Sequence, residues 1–125
     1  MKFIIVCIML ISHSLIPQDH NSRKLFLFVP GRNDILLKEQ LKILNSDPEG
    51  LSERDLVIKV ITPYSDRVLY KEVMKNNINF LLLLYGKDGG IKIRNNKPIS
   101  IQQLYSIIDS MPMRKEELKQ KHHKF

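Results

Sequence analysis

Apolar and polar positions divide this chain into short blocks of two kinds. Residues 24–29, Lys24-Leu25-Phe26-Leu27-Phe28-Val29, form an apolar run that Pro30-Gly31 stops, which predicts a strand. Asn33 or Asp34 then supplies an N-cap, and Leu37, Leu41 and Leu44 recur at helical spacing to give one apolar face. Residues 45–50, Asn45-Ser46-Asp47-Pro48-Glu49-Gly50, carry turn chemistry throughout and end that helix. A second strand follows at 56–61, and Thr62-Pro63-Tyr64-Ser65 breaks it. Residues 66–75 read as a short helix with Leu69, Val73, Tyr70 and Met74 turned inward, closed by Asn76-Asn77. The run 80–85 is apolar without alternation, as a strand buried on both faces is. Gly86-Lys87-Asp88-Gly89-Gly90 is a tight hairpin turn, because Asp-Gly and Gly-Gly reach positive φ cheaply. Ile91-Lys92-Ile93-Arg94 alternates, so one face is wet, and Asn95-Asn96-Lys97-Pro98 turns again. Ser100 with Gln103 makes a capping box for a last helix whose buried face is Ile101, Leu104, Tyr105 and Ile108. Met111-Pro112 stops that helix, leaving 113–125 as a basic tail, helical at best in part.

The order is β-α-β-α-β-β-α. Two strand–helix–strand crossovers predict parallel neighbours, and the hairpin adds an antiparallel edge strand. The fold class is therefore α/β: one small sandwich domain in the minimal thioredoxin-like order. A length of 125 residues suits one domain, and 43% hydrophobic with 26% charged residues is a globular composition.

The first residues read as an address. Lys2 precedes nine apolar residues, 3–11, followed by Ser12-His13-Ser14, the three-part pattern of a secretory signal peptide. The competing reading is a buried first strand; the position, the Lys2 flank and the polar stretch behind it favour the signal. The expected division is 1–16 signal peptide, with cleavage anywhere from 14 to 21, then a domain over 22–112 and the tail 113–125. Export to the periplasm or the cell exterior follows. Cys7, the only cysteine, would leave with the signal, so the mature chain would carry no thiol for a disulfide, a metal or redox work.

Charge changes the picture of partners. Twenty Lys+Arg against thirteen Asp+Glu give +7, and +6 once Lys2 is gone. Such a surplus attracts an anionic polymer or an acidic protein and says nothing about the fold. Two places could concentrate it. Arg32 and Asn33 lie at the first strand–helix junction, where free helix N–H groups attract anions; a capped start with a solvated arginine is the plainer reading. Lys87, Lys92, Arg94 and Lys97 could share an exposed rim, although edge lysines also block aggregation. Arg114, Lys115, Lys119, Lys121 and Lys124 with His122-His123 form a second basic cluster, read as a solvated tail, from which Arg114 joins the candidates for binding an anion or partner; no nucleic acid is expected. Adjacent histidines do not suit one metal on a helix, so no metal is assigned and no cofactor is implied. The acids are scattered, and no Ser/His/Asp arrangement or phosphate loop is visible, so no catalytic residue is assigned.

Three stretches in order and spacing carry a resemblance. They are Glu53-Arg54-Asp55-Leu56-Val57, the hairpin Gly86-Lys87-Asp88-Gly89-Gly90 with Ile91-Lys92-Ile93-Arg94 behind it, and Ile108-Asp109-Ser110-Met111-Pro112-Met113-Arg114. Over roughly 24–118 the chain resembles the domain-of-unknown-function family numbered 4174. That domain is also found in sushi-repeat-containing proteins and in coiled-coil-domain-containing protein 80. The signature positions are Arg54, Asp55, Gly86, Lys87, Asp88, Gly89, Gly90, Met111, Pro112, Met113 and Arg114. The resemblance implies a thioredoxin-like or peroxiredoxin-like fold, no established activity, and interaction as the role of the animal members. An active thioredoxin would place Cys-x-x-Cys where this chain reads Val29-Pro30-Gly31-Arg32-Asn33-Asp34, and a cis-proline where it reads Asn77-Ile78-Asn79. The expected function is thus a non-catalytic binding module. An enzyme of unrecognised chemistry at the first strand–helix junction is the alternative, with thiol oxidoreductase or peroxiredoxin-like activity behind it.

Overall fold

The structure is a computed structural model that describes residues 21–75 and 78–123, the side chains of the last two excepted. The expected signal peptide, its cleavage site and Cys7 lie outside the described residues. Four strands form one sheet: β1 (Arg23–Phe28), β2 (Leu56–Ile61), β3 (Leu81–Tyr85) and β4 (Ile91–Asn95). Five helices accompany them: α1 (Ile35–Asn45), α2 (Pro48–Glu53), α3 (Arg67–Val73), α4 (Ile101–Asp109) and α5 (Pro112–His123). Among the described residues no helix is long and apolar enough to cross a membrane.

Strand order is β2-β1-β3-β4. β1 and β2 are parallel, with Leu25 opposite Ile58, as the first crossover requires. The expectation of a second parallel pair fails. β3 runs antiparallel to β1, with Phe26 opposite Leu83, and does not touch β2. α3 carries the chain over β1 from the edge to the other side, and an apolar run holds no record of strand direction. β4 returns antiparallel to β3, as the hairpin turn predicts. Gly89 at φ +83° and the bond from Gly86 N–H to the Gly90 carbonyl (2.9 Å) close that turn.

The sheet separates two apolar clusters. Leu25, Leu27, Val29, Phe80, Leu82 and Leu84 face α1, α2 and α4, where Leu37, Leu44, Leu51, Leu104 and Ile108 complete the main core. Phe26, Phe28, Leu81 and Leu83 face the other way, against Leu69 of α3 with Tyr70, Val73 and Met74. β1 and β3 are therefore buried on both faces, each apolar side chain contributing about 1.5–3 kcal/mol. α3 has seven residues and would not persist alone; burial of Leu69 holds it.

The caps explain where helices start. Asp34 accepts from Leu37 N–H (3.0 Å), Asp66 from Leu69 N–H (3.0 Å), and the Ser100–Gln103 capping box is complete. Two expectations are corrected. The stretch 45–50 does more than turn: Asp47 accepts from Gly50 N–H and Pro48 takes the first helical position, so α2 begins inside it. The tail from 113 is a regular helix, α5, begun by the same Pro112 that was read only as a stop.

Candidate functional site

The two ends of the sheet differ in chemistry. At the C-terminal end of β1 and β2, Val29 N–H donates to the Ile61 carbonyl (3.0 Å), so the loops leaving both strands lie side by side. Thr62 Oγ1 accepts from Tyr64 and Ser65 N–H, and Ser65 Oγ accepts from Thr62 N–H, which fixes the second loop. Arg32 and Asn33 are exposed here. Both carboxylates of this end, Asp34 and Asp66, are committed to helix caps. Three large apolar side chains stand in the open around them: Ile35 at 80% exposed, Tyr64 at 89% and Val68 at 63%.

At the opposite end four cations and four carboxylates interlock. Arg23, fully buried at the start of β1, donates to Glu117 of α5 through both terminal nitrogens (2.9 and 3.3 Å) and to the Arg54 carbonyl (2.8 Å). Lys87 bridges Asp55 (2.8 Å) and Glu117 (3.2 Å). Arg54 grips Asp109 with two bonds (3.0 and 3.1 Å) while its guanidinium lies 3.6 Å from the centre of the Tyr105 ring. Arg114, 2% exposed, joins Glu53 (3.1 Å) to Asp109 (3.3 Å).

Titration follows from this geometry. Burial pushes the Asp109 carboxyl up, but hydrogen bonds and charge from Arg54, then Arg114, outweigh it and hold the group below its ordinary range. Glu117 is likewise lowered, the hydrogen bonds from Arg23 and Lys87 overcoming its burial. The Tyr105 phenol is pushed up to about 12 by burial and by donating to Asp47 (2.9 Å).

The sequence-predicted cations thus part company. Arg114, expected in a solvated tail and open to an anion, is a buried strut, and Lys87 is engaged by Asp55 and Glu117. Lys92 pairs with Asp88 (2.8 Å), whose carboxyl that bond lowers. Arg94 and Lys97 are exposed and meet no carboxylate among the described residues. Of the signature positions, Arg54, Asp55, Lys87 and Arg114 converge on the ionic cluster, and Met111 is buried in the main core beside it. Gly86, Asp88, Gly89 and Gly90 build the turn that delivers Lys87, while Pro112 and Met113 open α5 on the surface. Sequence reasoning missed Arg23, Glu53, Asp109, Glu117 and Tyr105 as site residues, because the bonds that tie them across the fold join partners 31 to 94 residues apart and leave no local spacing. One signal was available, charged residues at the head of an otherwise apolar, buried strand. Among the described residues no three His, Cys, Asp or Glu side chains are grouped to hold a metal ion.

Comparison with known proteins agrees with the architecture. Three solved structures each align with 86% of this chain at a TM-score of 0.55. They are reduced 2-Cys peroxiredoxin of Plasmodium vivax (11% identity, 82% of that chain), Plasmodium yoelii Prx1a modified at its N-terminus (14%, 79%) and Plasmodium yoelii thioredoxin peroxidase I (13%, 78%). At such identity the likeness establishes a thioredoxin-like fold and nothing about chemistry. No curated protein matches the sequence. The family model described as Domain of unknown function (DUF4174) matches residues 15–117, a span that takes in the whole ionic cluster and both hairpin strands, and the chain belongs to that family.

Proposed function

We propose that this chain is an exported, non-catalytic binding module on a thioredoxin-like scaffold, offering a basic rim to an anionic or protein partner. One observation carries the reading: Arg94 and Lys97 are exposed at the β4 side of the sheet with no carboxylate partner among the described residues, whereas Lys87, Lys92 and Arg114 are already engaged. Unneutralised neighbouring cations gain most from an external anion. The likeness to peroxiredoxins supports the scaffold. Thiol chemistry would need a cysteine, and the sequence holds only Cys7, in the segment read as a signal. Retention on an immobilised heparin-like glycan should weaken steeply with added salt and drop in an Arg94→Ala/Lys97→Ala variant. Salt-insensitive or absent retention removes the electrostatic reading. Export predicts that the intact mass of the secreted form is that of a chain cleaved after one of residues 14 to 21.

A second reading, an enzyme at the first strand–helix junction, is favoured by the exposed Arg32 and Asn33 at the strand end where open α/β sheets place ligands. Against it stands the use of Asp34 and Asp66 as caps, which among the described residues leaves no free carboxylate there to act as general base. Loss of any detected turnover on Arg32→Ala would revive it.

A further inference from the structure

The sheet ends at β4, whose outer edge is paired by no described strand. Beside that edge an open groove of about 480 Å³ runs between β4 and α4. Ile93, Ile99 and Ile107 give it an apolar floor, and Gln102 and Ser106 give it a hydrogen-bonding rim. The two faces of β4 are chemically different. Ile93 pairs in register with Leu84 and packs on the main core. Arg94 pairs in register with Leu83 of the second cluster, and its charge acts on the Tyr85 phenol on that face.

A strand laid along this edge would present its side chains alternately to the two faces. One would sit over the apolar groove; the next would stand across from Arg94, where a carboxylate forms a favourable cross-strand pair. The half of β4 nearer the turn is closed to such pairing. There Lys92 is the extra residue of a bulge opposite Leu84 and Tyr85, held by Asp88. The open half is Ile93 to Asn95, with Lys97 adding a second cation beyond it. We infer that β4 accepts an extended segment of an acidic partner protein as a fifth strand, its residues alternating apolar and carboxylate. The inference rests on the binding-module reading and names the partner that the rim fits. Main-chain bonds would supply the affinity, and the groove and Arg94 the selectivity.

The test titrates the full chain with a ten-residue peptide of alternating Val and Glu, blocked at both ends. Two further versions carry N-methyl groups, one on every Val and one on every Glu. A heparin fragment serves as a polyanion without strand geometry. In an added strand only one alternate set of N–H groups faces β4. One methylated peptide should therefore lose about tenfold or more in affinity while the other keeps it, since several ladder bonds vanish together. Arg94→Ala should weaken the unmodified peptide about tenfold, and amide shifts should centre on Ile93 to Asn95. Equal binding of the two methylated peptides overturns strand addition. So does binding of the heparin fragment without the peptide, and in both cases the basic-rim reading stands. If neither peptide nor heparin fragment binds, both readings fall.

Discussion

A methyl group added at position 50 would disturb a polar cluster tied to three elements. Gly50 lies in α2 against the Asp47 carboxylate and the Tyr105 hydroxyl, and a Cβ there would collide with both. Alanine normally gains about 1 kcal/mol over glycine in a helix. Here it must displace the Tyr105–Asp47 bond and tilt the ring under Arg54, so the sign should reverse. Gly50→Ala is expected to destabilise by about 1–3 kcal/mol, read as a lowered midpoint in urea. An unchanged or raised midpoint would show that the cluster gives way at no cost. Gln40 teaches the same lesson. Fully buried, it donates to the Ile99 carbonyl (3.1 Å) and accepts from Ile99 N–H (2.8 Å), pinning the loop before α4. The caps at Asp34 and Ser100 were legible in the sequence because donor and acceptor lie three residues apart. Gln40 and Tyr105 were not, because their partners lie 59 and 58 residues away.

α5 is the element whose attachment is most electrostatic. Its ion pairs with the rest of the chain come from Arg114, Glu117 and Lys121. Asp109 and Glu117 titrate below their ordinary range in the folded state. Their contribution is therefore present above the unfolded values near pH 4 and is lost as pH falls through the lower folded ones. Acidification from about pH 5 downward should loosen α5, seen as faster amide exchange along it ahead of β1 and β3. Glu117→Gln removes the charge facing the fully buried Arg23 and should cost about 2 kcal/mol at neutral pH, with a flatter acid limb. An acid limb as steep as that of the unmodified chain would assign the docking to something other than this pair. The same dependence on ion pairs explains why α5 could not be read from periodicity: its sequence has no apolar stripe, and its partners sit on β1, on the α2–β2 turn and on the hairpin. α1, α3 and α4, whose inward apolar residues recur at helical spacing (Leu37 and Leu44, Leu69 and Val73, Leu104 and Ile108), were legible for the opposite reason.

For the whole molecule the two apolar clusters share β1 and β3, alternate residues of which point to opposite faces. Neither face can unpack without exposing the strands that support the other. Leu104→Ala on the main side and Leu69→Ala on the smaller side should each cost about 2–5 kcal/mol. Each should shift one common unfolding transition, followed by near- and far-ultraviolet circular dichroism. Two separated transitions would mean that α3 and its cluster melt alone. All four strands and three of the five described helices were legible, the central pair of strands most of all, because a doubly buried strand announces itself by composition. The direction of β3 was not, and it matters, because it places the hairpin turn beside the start of β1 and so brings Lys87 to Glu117.

The clasp between Arg23 and Glu117 joins residues 94 positions apart, at the entrance and the exit of the sandwich. The start of β1 and the middle of α5 are therefore held side by side, on one pole. A host protein could carry this unit as a graft on a single surface loop, with its opposite pole, tipped by Tyr64, projecting outward.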